Sequence, residues 1–198
     1  MTTRQKILFA AAHVFSQKDF YQTKLEEVAE AAGLGKGTIY LYFKDKTELF
    51  ISAVEFMHQM AIEQTEIKLT GITSPMMRLR LSIQLWLAAF VEHRQGILSF
   101  RSYTAAIPEE HRERVLAIRN SGRAYLQKLI DSIAQKSGHK GLKRPSELLA
   151  EVLLDAVFGY IARPDFEEFV KEYPPEKYAV FLVDVILPQH EWMKEKPL

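Results

Sequence analysis

The chain has 198 residues, 47% of them apolar, so it can bury a substantial core and is not a disordered segment. It contains no cysteine, which excludes disulfides, thiolate metal sites and cysteine catalysis. Its formal net charge of +1 excludes a strongly basic protein that coats nucleic acid without sequence preference.

The N-terminus shows no basic segment followed by an apolar one, so no secretory signal is predicted. The longest uninterrupted apolar run, residues 85–91, is too short to cross a bilayer. From these two features we expect a soluble, cytoplasmic protein without a membrane partner.

The first predicted helix covers residues 3–17. Thr2 and Gln5 have the spacing of a capping box, in which the two residues satisfy each other's free backbone N–H groups. Apolar residues recur at helical spacing and predict a buried stripe. The stripe consists of Ile7, Ala11, Val14 and Phe15.

Residues 23–49 predict a helix, a tight turn and a second short helix. Thr23 and Glu26 are spaced as a capping box for the first of these helices. Gly33 can adopt the left-handed conformation that ends a helix, and residues 36–43 form the next predicted helix. Two helices joined by a short glycine-containing turn are typical of a helix-turn-helix, whose second helix enters the DNA major groove.

The second short helix has one apolar face and one unusual outward face. At 100° per residue, Ile39 and Phe43 fall together and predict the inward side. Leu41 then points outward. Its neighbours on the outward side and flanks are Gly37, Thr38, Tyr40 and Tyr42. A face of this composition suits contact with a DNA groove better than mere solvation.

The rest of the chain is predicted to be helical, which makes the fold class all-α. No stretch alternates as a strand does. Pro108 and Pro175, each followed by glutamate, suit the first turn of a helix. The predicted helices cover residues 46–69, 75–94, 96–104, 108–136, 146–162 and 175–190.

The helices predicted at 146–162 and 175–190 are apolar almost all round. Such helices need cover on two sides. One side can be the core of the protein and the other the same pair of helices in a second subunit, so we expect a homodimer. The alternative is a pair fully enclosed within a monomer.

Aromatic residues concentrated in the middle of the chain indicate either core packing or an apolar ligand pocket between helices. The candidate pocket residues are Trp86, Phe90, Phe100, Tyr103 and Tyr125. Candidate polar anchors are Gln84, Arg101 and Arg119.

No catalytic motif, metal-ligand spacing or cofactor-binding glycine pattern is recognised, so we expect neither an enzyme nor a cofactor. Glu109, Glu110 and His111 form a carboxylate–imidazole cluster. Because they lie in the first turn of a predicted helix, the acids are explained by the helix dipole rather than by a metal.

The run GKGTIYLYFKDKTEL resembles the DNA-binding signature of the tetracycline-repressor (TetR) family of bacterial transcriptional regulators, and the resemblance covers about residues 4–52. It implies that Thr23, Tyr42 and Lys46 hold phosphates, although Thr23 can equally be a structural cap. Lys36, Thr38 and Tyr40 match positions near base edges or the wall of the groove. Lys24 adds a potential phosphate contact, and Gly35 leaves the second helix without a side-chain cap.

The residues and the resemblance together predict two domains. Residues 1–50 are expected to form a three-helix DNA-binding domain with the helix-turn-helix at about 24–43, and residues 51–198 a helical ligand-binding and dimerisation domain. The predicted DNA-binding residues are Thr23, Lys24, Lys36, Gly37, Thr38, Tyr40, Leu41, Tyr42 and Lys46.

The expected function is that of a repressor which a small apolar or amphipathic ligand releases from a palindromic operator. The competing hypothesis is an all-helical small-molecule binding protein or enzyme that retains a unit like a helix-turn-helix. Salt-sensitive affinity for DNA distinguishes the two.

Overall fold

The structure is a computed structural model that describes residues 1–18, 20–104, 107–136 and 145–187. Within these ranges it contains helices and no strands, which confirms the predicted all-α fold class. The helices are α1 (Thr3–Gln17), α2 (Leu25–Ala32), α3 (Lys36–Tyr42), α4 (Lys46–Lys68), α5 (Pro75–Glu92), α6 (Arg94–Thr104), α7 (Glu109–Lys136), α8 (Ser146–Ile161), α9 (Phe166–Glu172) and α10 (Pro175–Ile186).

The predicted helix ends agree with the structure within two residues, except at the end of α10. Helix α10 ends at Ile186, short of the predicted residue 190, and residues 188–190 lie outside the described ranges. Pro175 occupies the first turn of α10 as predicted. Pro108 instead precedes α7, where its carbonyl accepts a hydrogen bond from the His111 N–H at 3.0 Å.

Helix α9 was not predicted from the sequence. It has seven residues, fewer than two full turns, so it presents too short a repeat for periodicity to reveal. Tertiary contacts hold it in place instead. Phe166 is buried, and the ring of Phe169 packs against both Tyr160 and Tyr178, with centroid distances of 5.7 Å to each.

The described chain forms two compact units. The first comprises Met1–Gln64 and Glu92–Ile118, and the second comprises Thr65–Val91 and the described residues from Arg119 onward. Helices α4 and α7 therefore contribute residues to both units.

The first unit has a continuous core built from α1 to α4, α6 and the start of α7. The predicted stripe of α1 and the predicted inward side of α3 are buried in it, which confirms both predictions: these residues are Ile7, Ala11, Val14, Phe15, Ile39 and Phe43. Leu25 and Val28 of α2 are buried in the same core. Aromatic rings extend this core toward α6, where Phe20 and Tyr103 approach to 4.1 Å between centroids.

Helices α1 and α6 approach each other closely at a glycine. A Cβ atom added to Gly96 would lie 3.1 Å from the Ser16 Cα, closer than side chains normally come to backbone. Because the obstacle is main chain, a larger residue at Gly96 would have to separate the two helices. Gly96 thus fixes the distance between α1 and α6.

The second unit has its own core, formed by α5, the C-terminal part of α7, α8 and α10. Its fully buried side chains include Leu79, Ile83, Leu126, Ile130, Leu153 and Val183. Ion pairs between α7 and α8 surround this core: Arg119 binds Asp155 at 2.8 Å and also Glu151, and Arg123 binds Glu147. No described helix combines the length and apolarity needed to cross a membrane.

Candidate nucleic-acid interface

A left-handed glycine sets the angle between α2 and α3. Gly33 has φ +66°, a conformation that side chains with a Cβ adopt reluctantly. Its N–H donates to the Glu30 carbonyl at 3.0 Å, and the Leu34 N–H donates to the Ala29 carbonyl at 2.9 Å. These two bonds satisfy the last carbonyls of α2 and redirect the chain into α3, as the sequence predicted.

Helix α3 presents the two faces predicted for it. Ile39 and Phe43 are buried on the inward side, and the Leu41 side chain is 83% exposed on the other. Tyr40 and Tyr42 flank Leu41 and are both exposed. A seven-residue helix is not stable alone, so the packing of its inward face is what orients the outward one.

The start of α2 differs by one residue from the prediction. Lys24, not Thr23, is the N-cap, and Glu27, not Glu26, reaches back to accept from the Lys24 N–H at 3.0 Å. Thr23 is 2% exposed, so in the free chain it lies below the surface. Its assignment to phosphate contact stays a prediction.

Glu26 has a different partner, because it forms an ion pair with a residue of α3. The Lys36 Nζ lies 2.5 Å from the Glu26 Oε1, and both side chains are about half exposed. The hydrogen bond from Lys36 lowers the pKa of the Glu26 carboxyl, and the same bond raises the pKa of Lys36. The cation at the start of α3 is thus neutralised by an acid of α2.

Lys46 clamps the loop between α1 and α2. Its Nζ donates to the carbonyls of Phe20 at 2.9 Å, Tyr21 at 3.4 Å and Thr23 at 3.1 Å, and it lies 4.5 Å from the Phe20 ring centroid. An ammonium has three N–H donors, and all three are directed at these carbonyls. Lys46 therefore has a structural task that sequence reasoning missed.

Two further exposed side chains lie near this surface and were not predicted as site residues. Tyr21 projects from the clamped loop, and Lys44 follows α3. A crevice of about 250 Å³ opens beside Tyr21. It is lined by Phe20, Tyr21, Gln95, Leu98, Ser99, Ser102 and Tyr103. The aromatic pair after α1 is the sequence signal that marks this loop.

Three of the predicted ligand residues belong to the first unit. Tyr103 is buried and shares a 3.0 Å hydrogen bond with the Thr47 hydroxyl. Phe100 is half-buried, 5.7 Å from Phe50 between ring centroids, and Arg101 is exposed. In this structure Tyr103 and Phe100 contribute to the aromatic core around Phe50.

The other three predicted ligand residues belong to the second unit. Trp86 is buried, donates to the Thr65 hydroxyl at 3.1 Å and lies 5.2 Å from the Tyr125 ring. The Tyr125 hydroxyl donates to the Glu66 carboxylate at 2.7 Å, and burial raises the pKa of Tyr125 to about 12. Phe90 packs on Phe158 at 5.1 Å between ring centroids. Their role in ligand binding stays a prediction.

The carboxylate–imidazole cluster at the start of α7 has partners of its own. The Glu109 carboxylate pairs with Arg112 at 2.5 Å, and His111 lies 3.4 Å from Glu110. Among the described residues, no group of three or more histidines and acids has the arrangement of a metal site.

Comparison with known proteins identifies the surface built by α2 and α3. Residues 7–53 match the sequence model of the bacterial regulatory proteins of the tetR family. Over these residues the chain is similar to the tetR family. The resemblance inferred from the run at α3 is confirmed by this match.

Relatives and solved structures of the family extend the comparison. A 48-residue segment, 24% of this chain, is 52% identical to the HTH-type transcriptional regulator AcrR of Shigella flexneri, and that segment makes up 22% of AcrR. The structure of the transcriptional regulator FadR from Bacillus subtilis, solved in complex with stearoyl-CoA, matches with a TM-score of 0.76 at 18% identity, over 93% of this chain and 97% of FadR.

A second solved structure adds a complex with DNA. AibR in complex with isovaleryl coenzyme A and operator DNA matches with a TM-score of 0.64 at 16% identity, over 94% of this chain and 99% of AibR. At these identities the two structures establish that the fold is shared along nearly the whole chain.

Proposed function

We propose that the protein is a transcriptional regulator, not an enzyme, that binds double-stranded operator DNA through the outward face of α3 and acts in the cytoplasm. The observation that carries the proposal is that face: an exposed Leu41 flanked by two exposed tyrosines, within the segment that matches the family model. The competing hypothesis, a binding protein or enzyme without DNA affinity, gives no reason for this arrangement.

Local positive charge supports sited rather than general binding. Lys24 at the start of α2 and Lys44 just after α3 are exposed, whereas Lys36 and Lys46 are engaged by protein groups. Residues 1–50 carry seven lysines and arginines against six acids. A surface with so little excess charge gains only modest affinity for DNA from phosphate contacts. Contacts with the bases in the groove therefore have to supply the remaining affinity.

A homodimer is supported by the outer surface of α8 and α10. These two helices pack against each other and leave five large apolar side chains exposed. The five are Leu148, Val152, Val180, Phe181 and Val185. We propose that a second copy covers this α8–α10 surface. Two recognition helices would then read half-sites about one helical turn, ~34–36 Å, apart or somewhat more.

The proposed repressor also requires an effector molecule. We propose that an apolar or amphipathic ligand releases the protein from its operator, as a repressor requires. Acyl-CoA thioesters are the first class to test, because FadR and AibR, which share the fold, were solved with stearoyl-CoA and isovaleryl coenzyme A. The aromatic residues of the predicted pocket suit an acyl chain.

Selection of operators from random duplex DNA with the purified protein tests the function. We expect enrichment of a palindromic sequence whose affinity falls steeply as salt rises. No enriched sequence and no salt-dependent affinity would favour the competing hypothesis.

The same binding assay, repeated with acyl-CoA thioesters of different chain length, tests the effector. A thioester that raises the melting temperature should also weaken operator binding, since release requires different affinities in the two states. A ligand that stabilises the protein and leaves operator affinity unchanged contradicts regulation by that ligand.

The Glu26–Lys36 pair leads to a prediction about affinity. Glu26→Gln removes an acid next to the DNA phosphates and frees Lys36, so affinity for all sequences should rise about two- to fivefold, as expected for one exposed charge pair. The salt slope should steepen by about 0.9 for each Lys36 that gains a phosphate. Titrations at several salt concentrations measure both quantities.

Glu113→Gln is the matched control for that variant. Glu113 is exposed on α7 and its substitution changes the net charge equally. If Glu113→Gln strengthens DNA binding as much as Glu26→Gln does, the effect is one of total charge and the pair has no special role.

A further inference from the structure

We propose that Leu41 determines operator specificity by packing on the 5-methyl group of a thymine in each half-site. This inference rests on the proposed function, because it requires α3 to lie in the major groove. It deepens that function by naming one base and one chemical group that the protein recognises.

Leu41 is unusually exposed for a leucine. At 83%, its side chain is the most exposed large apolar side chain among the described residues, although it lies on a helix whose opposite face is fully buried. Exposing a leucine in this way forgoes the burial of its side chain, worth about 1.5–3 kcal/mol. A partner that covers Leu41 recovers that stabilisation.

Gly37, one helical turn before Leu41, has no side chain. In a helix a side chain leans toward the N-terminus, over the residue four positions earlier. For Leu41 that residue is Gly37, and apart from its neighbours in the chain and the nearby backbone of α3, no atom lies within 4 Å of where a Cβ on Gly37 would be. The backbone of α3 is therefore bare beneath Leu41, and a groove can approach it closely.

The outward face of α3 and the major groove have matching apolar groups. Leucine has no donor or acceptor, so it cannot read the hydrogen-bonding groups on base edges. The major groove displays one apolar group, the 5-methyl of thymine. Thr38, Tyr40 and Tyr42 are close to Leu41 along α3, and their hydroxyls can hydrogen-bond to phosphates or to polar base edges. The methyl group is therefore the feature of the groove that Leu41 can contact favourably.

The position of α3 selects DNA, and not a second protein, as the occupant. The helix follows the tight turn at Gly33, the exposed Lys44 comes two residues after its end, and the exposed Lys24 is the N-cap of α2. The two lysines and the apolar Leu41 side chain complement the major groove, which has phosphates at its rims and methyl groups on its floor. An apolar surface of another protein would offer these lysines no anionic partner.

The test replaces each thymine of the selected operator in turn with uracil, which removes only the methyl group. At one symmetric position we expect affinity to fall about fourfold per half-site, the value of one buried methyl(ene), and about fifteenfold when both half-sites are changed. Fluorescence anisotropy with purified protein and labelled duplexes measures these ratios.

Leu41→Ala should lose affinity by a similar factor and should bind thymine and uracil operators equally. Because Leu41 is so exposed, this substitution leaves the fold intact, which a melting curve verifies. Leu116→Ala, at another exposed leucine on α7, is the control and should keep full discrimination.

The outcomes separate this inference from the function on which it rests. Equal binding to every uracil-substituted operator, or full discrimination retained by Leu41→Ala, overturns the assignment while leaving a DNA-binding regulator. Failure to select any operator overturns the proposed function and the assignment with it.

Discussion

Phe181→Glu is expected to convert the protein from a dimer to a folded monomer. Phe181 is 56% exposed on α10, in the middle of the apolar α8–α10 surface, so a glutamate there is solvated in the monomer but would be buried and unpaired in a dimer. A stable interface of this type buries on the order of 2,000 Å² in total. Sedimentation at micromolar concentration measures the change.

Loss of the dimer should also weaken operator binding about 10²- to 10⁴-fold, because the second half-site would no longer be bound by a linked module. Leu116→Glu, which adds a charge at another exposed leucine, should remain dimeric. A wild-type protein that sediments as a folded monomer would contradict the dimer. Leu153 is unsuitable for this test, since it is fully buried and a charge there would disrupt the core of the second unit.

Lys46→Ala is expected to lower the stability of the protein by about 2–3 kcal/mol. The substitution removes a charged donor from three carbonyls, and hydrogen bonds to charged groups are worth about 1.5–3 kcal/mol each before relaxation and solvent make up part of the loss. In a chain of this length the melting temperature should fall roughly 4–12 °C. Calorimetry without DNA measures this effect.

Lys44→Ala is the charge-matched control, because Lys44 is exposed and lies two residues away. It should leave the melting temperature unchanged. An unchanged melting temperature for Lys46→Ala would contradict the clamp. The predicted phosphate contact of Lys46 has a separate readout: a salt slope reduced by about 0.9 per subunit, and an unchanged slope would contradict that contact.

The sequence predicted well what depends on local periodicity. The inward and outward faces of α3 followed from 100° per residue, since Ile39 and Phe43 have to share one side. The turn at Gly33 followed from the one residue type that readily accepts its backbone angles. These features are encoded within a few residues, and the sequence displays them directly.

What the sequence did not predict depends on contacts between distant residues. Thr23–Glu26 and Lys24–Glu27 have the same spacing, and the choice between them followed from tertiary contacts: Glu26 pairs with Lys36, while Thr23 is buried. The three carbonyls that Lys46 contacts lie 23 to 26 residues before it. Neither arrangement has a signature in spacing or composition.

The close approach of α1 and α6 at Gly96 bears on which segments of this chain could be replaced by those of a relative. Helix α6 lies well beyond residue 50, yet Tyr103 and the backbone at Gly96 complete the surroundings of Ser16 and Phe20. A segment that ended at residue 50 would leave those aromatic rings facing water. Recombination between relatives would therefore preserve stability only if α6 were inherited together with the first three helices, which links two regions that are distant in the chain.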